Sequence, residues 1–310
     1  MKKSKKTKIK FTACFIIFAA ALFNAASVMA AEAADNTAPE IYIDKITVPE
    51  LQKLYEENDY SQFIPRDTWQ VPAIFLKRLP SDFAEIEDEN LRNQLFIQIL
   101  SPLAIKVNEN ILAERKQLEE LTEHFEATHE LSKEQEAWLE TTAEKYNVFT
   151  RFKGYRRYKL LLSKLINKID IIPPSVMIAV AGIETDWGKS RLAKEGNSLY
   201  KEVVWHSEDG LLPEDETEDK TYRIKVFPTL YDAMKSFALK INSSVNFEDA
   251  RSLREAQRQR HKIIDGRSMA SSFVLLSPEP NYIGLLDYTI TFYELINVDA
   301  SKLRYKRPTG

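Results

Sequence analysis

The sequence predicts a mainly α fold with at most one small β-hairpin. From Ser81 onward, one segment after another repeats apolar residues at helical spacing. Nowhere do strand and helix patterns alternate, so a doubly wound parallel sheet is not expected. The 310 residues are 44% hydrophobic and 11% aromatic, which is enough to bury a sizeable core in one or two domains.

The first 30 residues have the organisation of a secretory signal peptide. Six lysines precede an apolar run over 11–30, and Val28 and Ala30 suit cleavage before Ala31. The alternative is an uncleaved anchor, because the segment 11–31 is close to the roughly 20 residues that a membrane-spanning helix needs. The sequence therefore predicts an exported protein, with membrane contact only through this signal if it is retained.

Charge and cysteine content exclude several classes of protein. Beyond the signal the chain has 37 basic and 46 acidic residues, a net charge near −9. Such a chain has no general attraction to nucleic acid. Its only cysteine, Cys14, lies inside the signal, so no disulfide is expected and the core must suffice for stability.

The elements follow in order along the chain. Residues 31–80 are predicted to be an extended linker with aromatic anchors, because prolines interrupt them repeatedly. Residues 81–150 are predicted to be helical, with Ser81 as a cap and Pro102 as a bend or break. Further helices are expected over 133–146, 155–168, 229–242, 248–260 and 281–296, and a strand is expected in "TYRIKVFP" after an acidic loop over 207–220.

The stretch "IPPSVMIAVAGIETDWGKSRL" (172–192) contains the residues most suited to chemistry. Pro174 fits the first turn of a helix, and the residues from Val176 to Ile183 are apolar all the way round, as in a buried helix. Glu184 then falls in the last turn, where desolvation and the helix dipole both favour a protonated carboxyl. A neutral carboxyl group near pH 7 is what a general acid requires.

Two interpretations of Glu184 remain open at this point. In the first it is a catalytic acid, with Trp187 offering an aromatic face to a sugar ring and Gly188 permitting a tight turn out of the helix. In the second it ends a core helix and pairs with Lys189 or Arg191.

Residues 155–298 resemble bacterial peptidoglycan N-acetylglucosaminidases of the flagellar-muramidase type, particularly the Bax-type exported proteins. The resemblance lies in "PPSVMIAVAGIETDWGKSRLAKEGNSLY", Trp205 and "KVFPTLYDAMKSFALKIN". It implies a lysozyme-like α+β core with a small β-hairpin lobe, with 151–300 as the catalytic domain and 301–310 as a tail. It also implies a periplasmic location in a Gram-negative bacterium and peptidoglycan glycan strands as the partner.

The resemblance also implies site residues. Glu184 of the Glu-x-x-Trp-Gly motif corresponds to the catalytic acid. A second carboxylate is implied on a mobile hairpin among Glu214, Asp215, Glu216, Glu218 and Asp219; the spacing back from Phe227 favours Glu218. The residues expected to bind substrate are Trp187, Asn197, Tyr200, Trp205 and Tyr282, although packing of a helix is an equally weighted role for Tyr282.

The sequence departs from the family pattern at three positions. Lys201 stands where the Asn-x-Leu-Phe-Gly pattern has glycine, Phe273 stands where many relatives have tyrosine, and Lys240 replaces an asparagine. Two basic clusters, 151–168 and 251–267, are either solvated helix faces, which the sequence favours, or contacts to acidic groups of the wall.

Competing sites fit less well. "GKS" at 188–190 lacks the spacing and the preceding strand of a phosphate-binding loop, so no nucleotide is expected. The four histidines have neither the spacing nor the companions of a metal site, and no cofactor is expected. The Gly-x-Ser-x-Gly motif of serine hydrolases and the Gly-Leu-Met-Gln signature of lytic transglycosylases are absent.

The leading hypothesis is a hydrolase of β-1,4 bonds next to N-acetylglucosamine, by an inverting, retaining or substrate-assisted route. The alternative is a non-catalytic wall-binding or scaffold protein with the same fold.

Overall fold

A computed structural model describes residues 40–60, 70–205, 209–213, 222–260 and 263–305. Residues 40–304 belong to one compact unit. The helices are α1 (Val48–Glu57), α2 (Glu89–Thr128), α3 (Lys133–Lys145), α4 (Tyr155–Lys168), α5 (Pro174–Thr185), α6 (Arg191–Gly196), α7 (Leu230–Ser243), α8 (Glu248–Gln259), α9 (Gly266–Met269), α10 (Tyr282–Phe292) and α11 (Ile296–Asp299). The strands are β1 (Ile41–Ile43), β2 (Gln70–Pro72), β3 (Ile74–Leu76), β4 (Val203–Trp205), β5 (Gly210–Leu211), β6 (Tyr222–Lys225) and β7 (Lys302–Arg304). The mainly α fold class is confirmed.

Helix α5 lies at the centre of the fold. It packs against the long helix α2 and against α7, α9, α10 and α11. Every residue of α5 from Pro174 to Gly182 is buried, which confirms the predicted all-round burial of this helix. Because apolar side chains surround it on every side, its position fixes that of the residues at its C-terminal end.

In the described residues, three small sheets are present instead of the single hairpin that the sequence predicts. The expected antiparallel unit is present, with β6 between β4 and β5. In addition, β1 pairs in parallel with β3, and β2 pairs in parallel with β7. The second pair joins Val71 to Leu303 across most of the sequence, so the segment from Lys302 to Arg304 is a strand rather than part of a tail.

The predicted linker is wrong for its described residues. Residues 40–60 and 70–80 contribute one helix and three strands, and they bury Leu51, Tyr55, Tyr60 and Phe75. The prolines lie at positions that proline tolerates in regular structure, since Pro49 is in the first turn of α1 and Pro72 ends a short strand. The boundary drawn at residue 80 therefore does not separate two units.

Pro102 does not break its helix, so of the predicted bend or break the break is wrong. Helix α2 runs uninterrupted through it for 40 residues and begins at Asp88, whose side chain accepts from Asn90 and Leu91, rather than at Ser81. Proline deprives the carbonyl four residues earlier of its helical partner. That carbonyl belongs to Gln98, and it accepts a hydrogen bond from the Tyr60 hydroxyl at 3.2 Å instead.

Helix α2 is also long and apolar enough to cross a membrane by length and composition. Its most apolar window is 72% buried inside the fold. Among the described residues it is therefore a core helix of a folded unit.

Candidate active site

The C-terminal end of α5 turns sharply to present Glu184. Asp186, Trp187 and Gly188 all have positive φ, at 48°, 53° and 85°. A Cβ atom on Gly188 would lie 2.9 to 3.0 Å from Phe83, Leu79 and Phe96, so only glycine fits the turn as it packs. The Thr185 hydroxyl accepts from the Gly188 N–H at 3.0 Å and closes the turn. The predicted tight exit at Gly188 is confirmed.

Glu184 itself lies at the edge of the core rather than inside it. Its side chain is 19% exposed, and its Oε2 atom is 3.5 Å from Nζ of Lys201. The packing interpretation predicted that Glu184 pairs with Lys189 or Arg191, but its ion pair is with Lys201. Arg191 instead pairs with Glu195 and donates to the Leu212 carbonyl at 2.5 Å. A partly exposed carboxyl at the end of a buried helix can contact both solvent and a ligand.

Tyr282 brings a hydroxyl to the same carboxylate. It is buried at the start of α10, and its hydroxyl forms no hydrogen bond of normal geometry among the described residues. Burial raises the pKa of Tyr282, and the nearby Glu184 charge raises it further. Tyr282 therefore places a buried phenol beside Glu184, and its contact with substrate remains a prediction.

Two of the expected substrate-binding residues have structural roles instead. The ring of Tyr200 stacks on Phe237 with centroids 4.1 Å apart, and its hydroxyl donates to the Met177 carbonyl at 3.1 Å. Asn197 is buried at the end of α6, and its amide nitrogen donates to the carbonyls of Phe227 and Pro228. With both side chains engaged in the core, the prediction that they bind sugar is corrected.

The two tryptophans near the site differ in exposure. Trp205 on β4 is 64% exposed and lies 5.5 Å from the Tyr222 ring, so its face is open to solvent. Trp187 packs over Gly182, with the Phe96 and Tyr293 ring centroids at 5.9 and 4.5 Å. Sugar binding by either tryptophan remains a prediction. The Trp187 ring also packs against α2 through Phe96 and against the end of α10 through Tyr293.

The second carboxylate lies outside the described residues. This is true of Glu218 and of the alternatives Glu214, Asp215, Glu216 and Asp219. The described flanks of that segment are β5 and β6, which pair with each other. The assignment of Glu218 therefore remains a prediction. Among the described residues, no three side chains of the metal-ligating types lie together.

The sequence did not reveal the roles of Lys201, which pairs with Glu184, and of Asp299, which holds the opposite end of α5. Lys201 has φ 46°, and for a lysine the left-handed region costs about 1 kcal/mol. Asp299 accepts from the N–H and hydroxyl of Ser175 at the start of α5, at 2.8 and 2.7 Å, and from the Gly266 N–H at 2.9 Å. The only sequence signal for Lys201 was that it stands where the family pattern has glycine. No sequence signal pointed to Asp299.

Comparison with known proteins identifies the domain. A family model described as mannosyl-glycoprotein endo-beta-N-acetylglucosaminidase matches residues 159–295. Residues 159–295 belong to the glucosaminidase family. This glucosaminidase domain contains α5, the turn after it and α10, and therefore both Glu184 and Tyr282. The predicted family is confirmed.

Individual relatives resemble parts of the chain. The protein bax of Escherichia coli (strain K12) is 30% identical over 109 residues, which cover 35% of this chain and 37% of that protein. The chain thus spans little more than a third of this curated relative. The catalytic domain of the autolysin Auto from Listeria monocytogenes is 17% identical, with a TM-score of 0.29, over 55% of this chain and 98% of that domain.

Proposed function

We propose that this protein is an exported glycosidase that hydrolyses β-1,4 bonds next to N-acetylglucosamine in peptidoglycan glycan strands. The observation that carries the proposal is the position of Glu184. It lies within the matched glucosaminidase segment, at the end of a buried helix, where its carboxyl is partly exposed and next to the Tyr282 hydroxyl. A fixed carboxyl beside open solvent is suited to donating a proton to a leaving oxygen.

The proposed reaction assigns a role to each group. Glu184 donates its proton to the glycosidic oxygen as the bond to the anomeric carbon breaks. Tyr282 donates a hydrogen bond to Glu184 or to the sugar when the cleft is filled, and the exposed ring of Trp205 packs against a sugar face. A carboxylate from the acidic segment, Glu218 in our assignment, or the acetamido group of the substrate stabilises the developing positive charge.

A digest of purified peptidoglycan tests the proposal. Mass identification of the new reducing ends should find N-acetylglucosamine. Reducing ends of N-acetylmuramic acid would indicate a muramidase, and anhydro-muramic ends would indicate a transglycosylase. Secretion of the full chain into the periplasm, with or without loss of the first 30 residues, tests the export and distinguishes a cleaved signal from an anchor.

A second candidate function is a wall-binding protein without activity. One observation favours it: the Lys201 ammonium lies 3.5 Å from the Glu184 carboxylate, so an ion pair already engages the group that would have to contact the glycosidic oxygen. Binding of glycan strands by the purified protein, with no release of reducing ends over long incubation, would select this candidate.

A further inference from the structure

Lys201 occupies a strained position beside Glu184. Its backbone has φ 46°, in the region that favours glycine, and glycine is the residue of the family pattern here. Its side chain is 42% exposed, and its ammonium lies 3.5 Å from the Glu184 carboxylate. A strained backbone position that bears a charged side chain at a candidate active site calls for a functional explanation.

The neighbours of Lys201 hold its backbone in that conformation. On one side, Tyr200 is fixed by its stacking on Phe237 and by its bond to the Met177 carbonyl. On the other side, the Glu202 carbonyl accepts from the Lys225 N–H at 2.7 Å, which continues the β4–β6 pairing. Glycine would satisfy the same backbone without strain, so the fold does not itself require a lysine side chain here.

Stability does not account for the side chain either. A pair with a 42% exposed lysine is screened by solvent and contributes little to folding. The ammonium has three donors, and in the described part of the chain one carboxylate, that of Glu184, lies within ion-pair distance of it. Neighbouring cations have other partners: Lys225 lies beside Glu202 and Ser236, and Arg191 binds the Leu212 carbonyl.

We propose that Lys201 is a specificity-determining residue that binds a carboxylate of the saccharide next to the scissile bond. The inference rests on the proposed function, because it places a sugar beside Glu184. The anion is the free lactyl carboxylate of a muramyl residue, as found in glycan strands from which the peptide has been removed. In strands that still bear peptide, the lactyl group is an amide and has no charge for Lys201 to bind.

Binding of the lactyl carboxylate also changes the partner of Lys201. The ammonium moves from Glu184 to the substrate anion, so the Glu184 carboxyl is released from its ion pair and is free to contact the glycosidic oxygen. A substrate with the preferred charge thereby removes the ion pair from the carboxyl that acts as the acid in the proposed reaction. The preferred substrate class is peptide-free, carboxylate-bearing glycan, which an amide-cleaving reaction must supply.

The test measures binding without turnover. In a Glu184→Gln background, dissociation constants are measured for a muramyl oligosaccharide with free lactyl carboxylates and for the same oligosaccharide with methylamide lactyl groups. A third ligand, with a short acidic peptide on each lactyl group, distinguishes a lactyl carboxylate from a peptide carboxylate. The comparison uses Lys201, Lys201→Met and Lys201→Arg, and Lys116→Met on α2 as a charge-matched control.

The free-carboxylate ligand should bind roughly fivefold tighter than the methylamide when Lys201 is present, as expected for a half-exposed ion pair. Lys201→Met should abolish this ratio, Lys201→Arg should retain most of it, and Lys116→Met should leave it unchanged. High salt should reduce it. Equal binding of the two ligands with Lys201 present, a ratio that survives Lys201→Met, a preference for the peptide ligand, or no binding would each overturn the inference. Because no hydrolysis is involved, a failure of the proposed activity is recognised separately.

Discussion

Replacing Asp299 by asparagine tests how the helix that carries Glu184 is held at its N-terminal end. The Asp299 carboxylate accepts from the Ser175 N–H and hydroxyl and from the Gly266 N–H. A Cβ atom on Gly266 would lie 2.1 Å from the Ser175 hydroxyl oxygen, so these elements are packed closely around the carboxyl. Burial raises the pKa of Asp299 from 3.8 to about 7, against the lowering effect of its three donors.

The sign of the pH dependence follows from this raised pKa. Between about pH 4 and pH 7 the folded protein keeps a proton on Asp299 that the unfolded chain has released. The contribution of Asp299 to stability is therefore complete below pH 4, falls as the pH rises to 7 and is constant above it. A shift of about three units corresponds to at most about 4 kcal/mol. The residue retains some exposed surface, which makes this an upper bound.

Asparagine does not titrate, so the free energy of unfolding of the Asp299→Asn variant should lack the decrease between about pH 4 and pH 7. It should also lose about 1–3 kcal/mol at every pH, because its amide nitrogen cannot accept from one of the three donors. The free energy of unfolding in urea is measured at several pH values from 4.5 to 8. The advantage of the wild type over the variant should shrink as the pH rises.

An Asp88→Asn variant is the matched control for the Asp299 experiment. Asp88 caps α2 with an exposed carboxylate, so its replacement should leave the pH slope of the wild type in place. The reasoning would be refuted if the stability advantage of the wild type over Asp299→Asn, measured as the free energy of unfolding, stayed constant from pH 4.5 to 8. It would also be refuted if that advantage grew with pH.

Three further substitutions test the core and the cleft. Arg254→Met should cost at least about 3 kcal/mol, because Arg254 is 1% exposed and donates to four backbone carbonyls and to Asn242; a loss in urea unfolding no larger than that of the exposed Arg260→Met would contradict this. Val180→Asp should cost several kcal/mol, since it places an unpaired charge in the centre of α5; an unchanged melting temperature would show that the site is solvated. Glycan fragments should quench tryptophan fluorescence, and Trp205→Phe should remove that quenching because Trp205 is the more exposed ring; quenching that persists would place the sugar elsewhere.

Elements with local signals were predicted from the sequence. The helix 133–146 begins at a capping box between Ser132 and Gln135, and the helix 229–242 begins after Thr229, whose side chain accepts from Asp232. Pro174 begins α5 as expected. The predicted helix 281–296 is instead two, because Glu294 adopts φ 51° between α10 and α11. Caps and periodicity are properties of a short segment, so a single sequence reveals them.

Elements that depend on distant partners were not predictable. Strand β2 exists because β7 pairs with it, and α2 passes through Pro102 because Tyr60 occupies the freed carbonyl. The basic cluster 251–267 was predicted to be solvated, yet Arg251 and Arg254 are buried against the carbonyls that end α4 and α7. In each case the partner is set by tertiary packing, which no local pattern encodes.

The candidate site was predictable in its centre and not in its surroundings. A carboxyl after an all-apolar run, followed by Trp187 and Gly188, marked Glu184 as unusual. The family resemblance also suggested Asn197 and Tyr200 as residues that bind sugar. Their side chains are instead engaged by Phe227 and Phe237, which lie in a later part of the chain.

The most direct test of the central claim is the hydrolysis rate of Glu184→Gln on purified peptidoglycan. Glutamine keeps the shape of the side chain but cannot donate the proton, so the release of new reducing ends should fall by roughly 10² to 10⁴ while the melting temperature stays near that of the wild type. Glu195→Gln, which alters an exposed carboxylate paired with Arg191 in the same domain, should retain full activity. A folded Glu184→Gln variant that digests peptidoglycan at the wild-type rate would contradict the account.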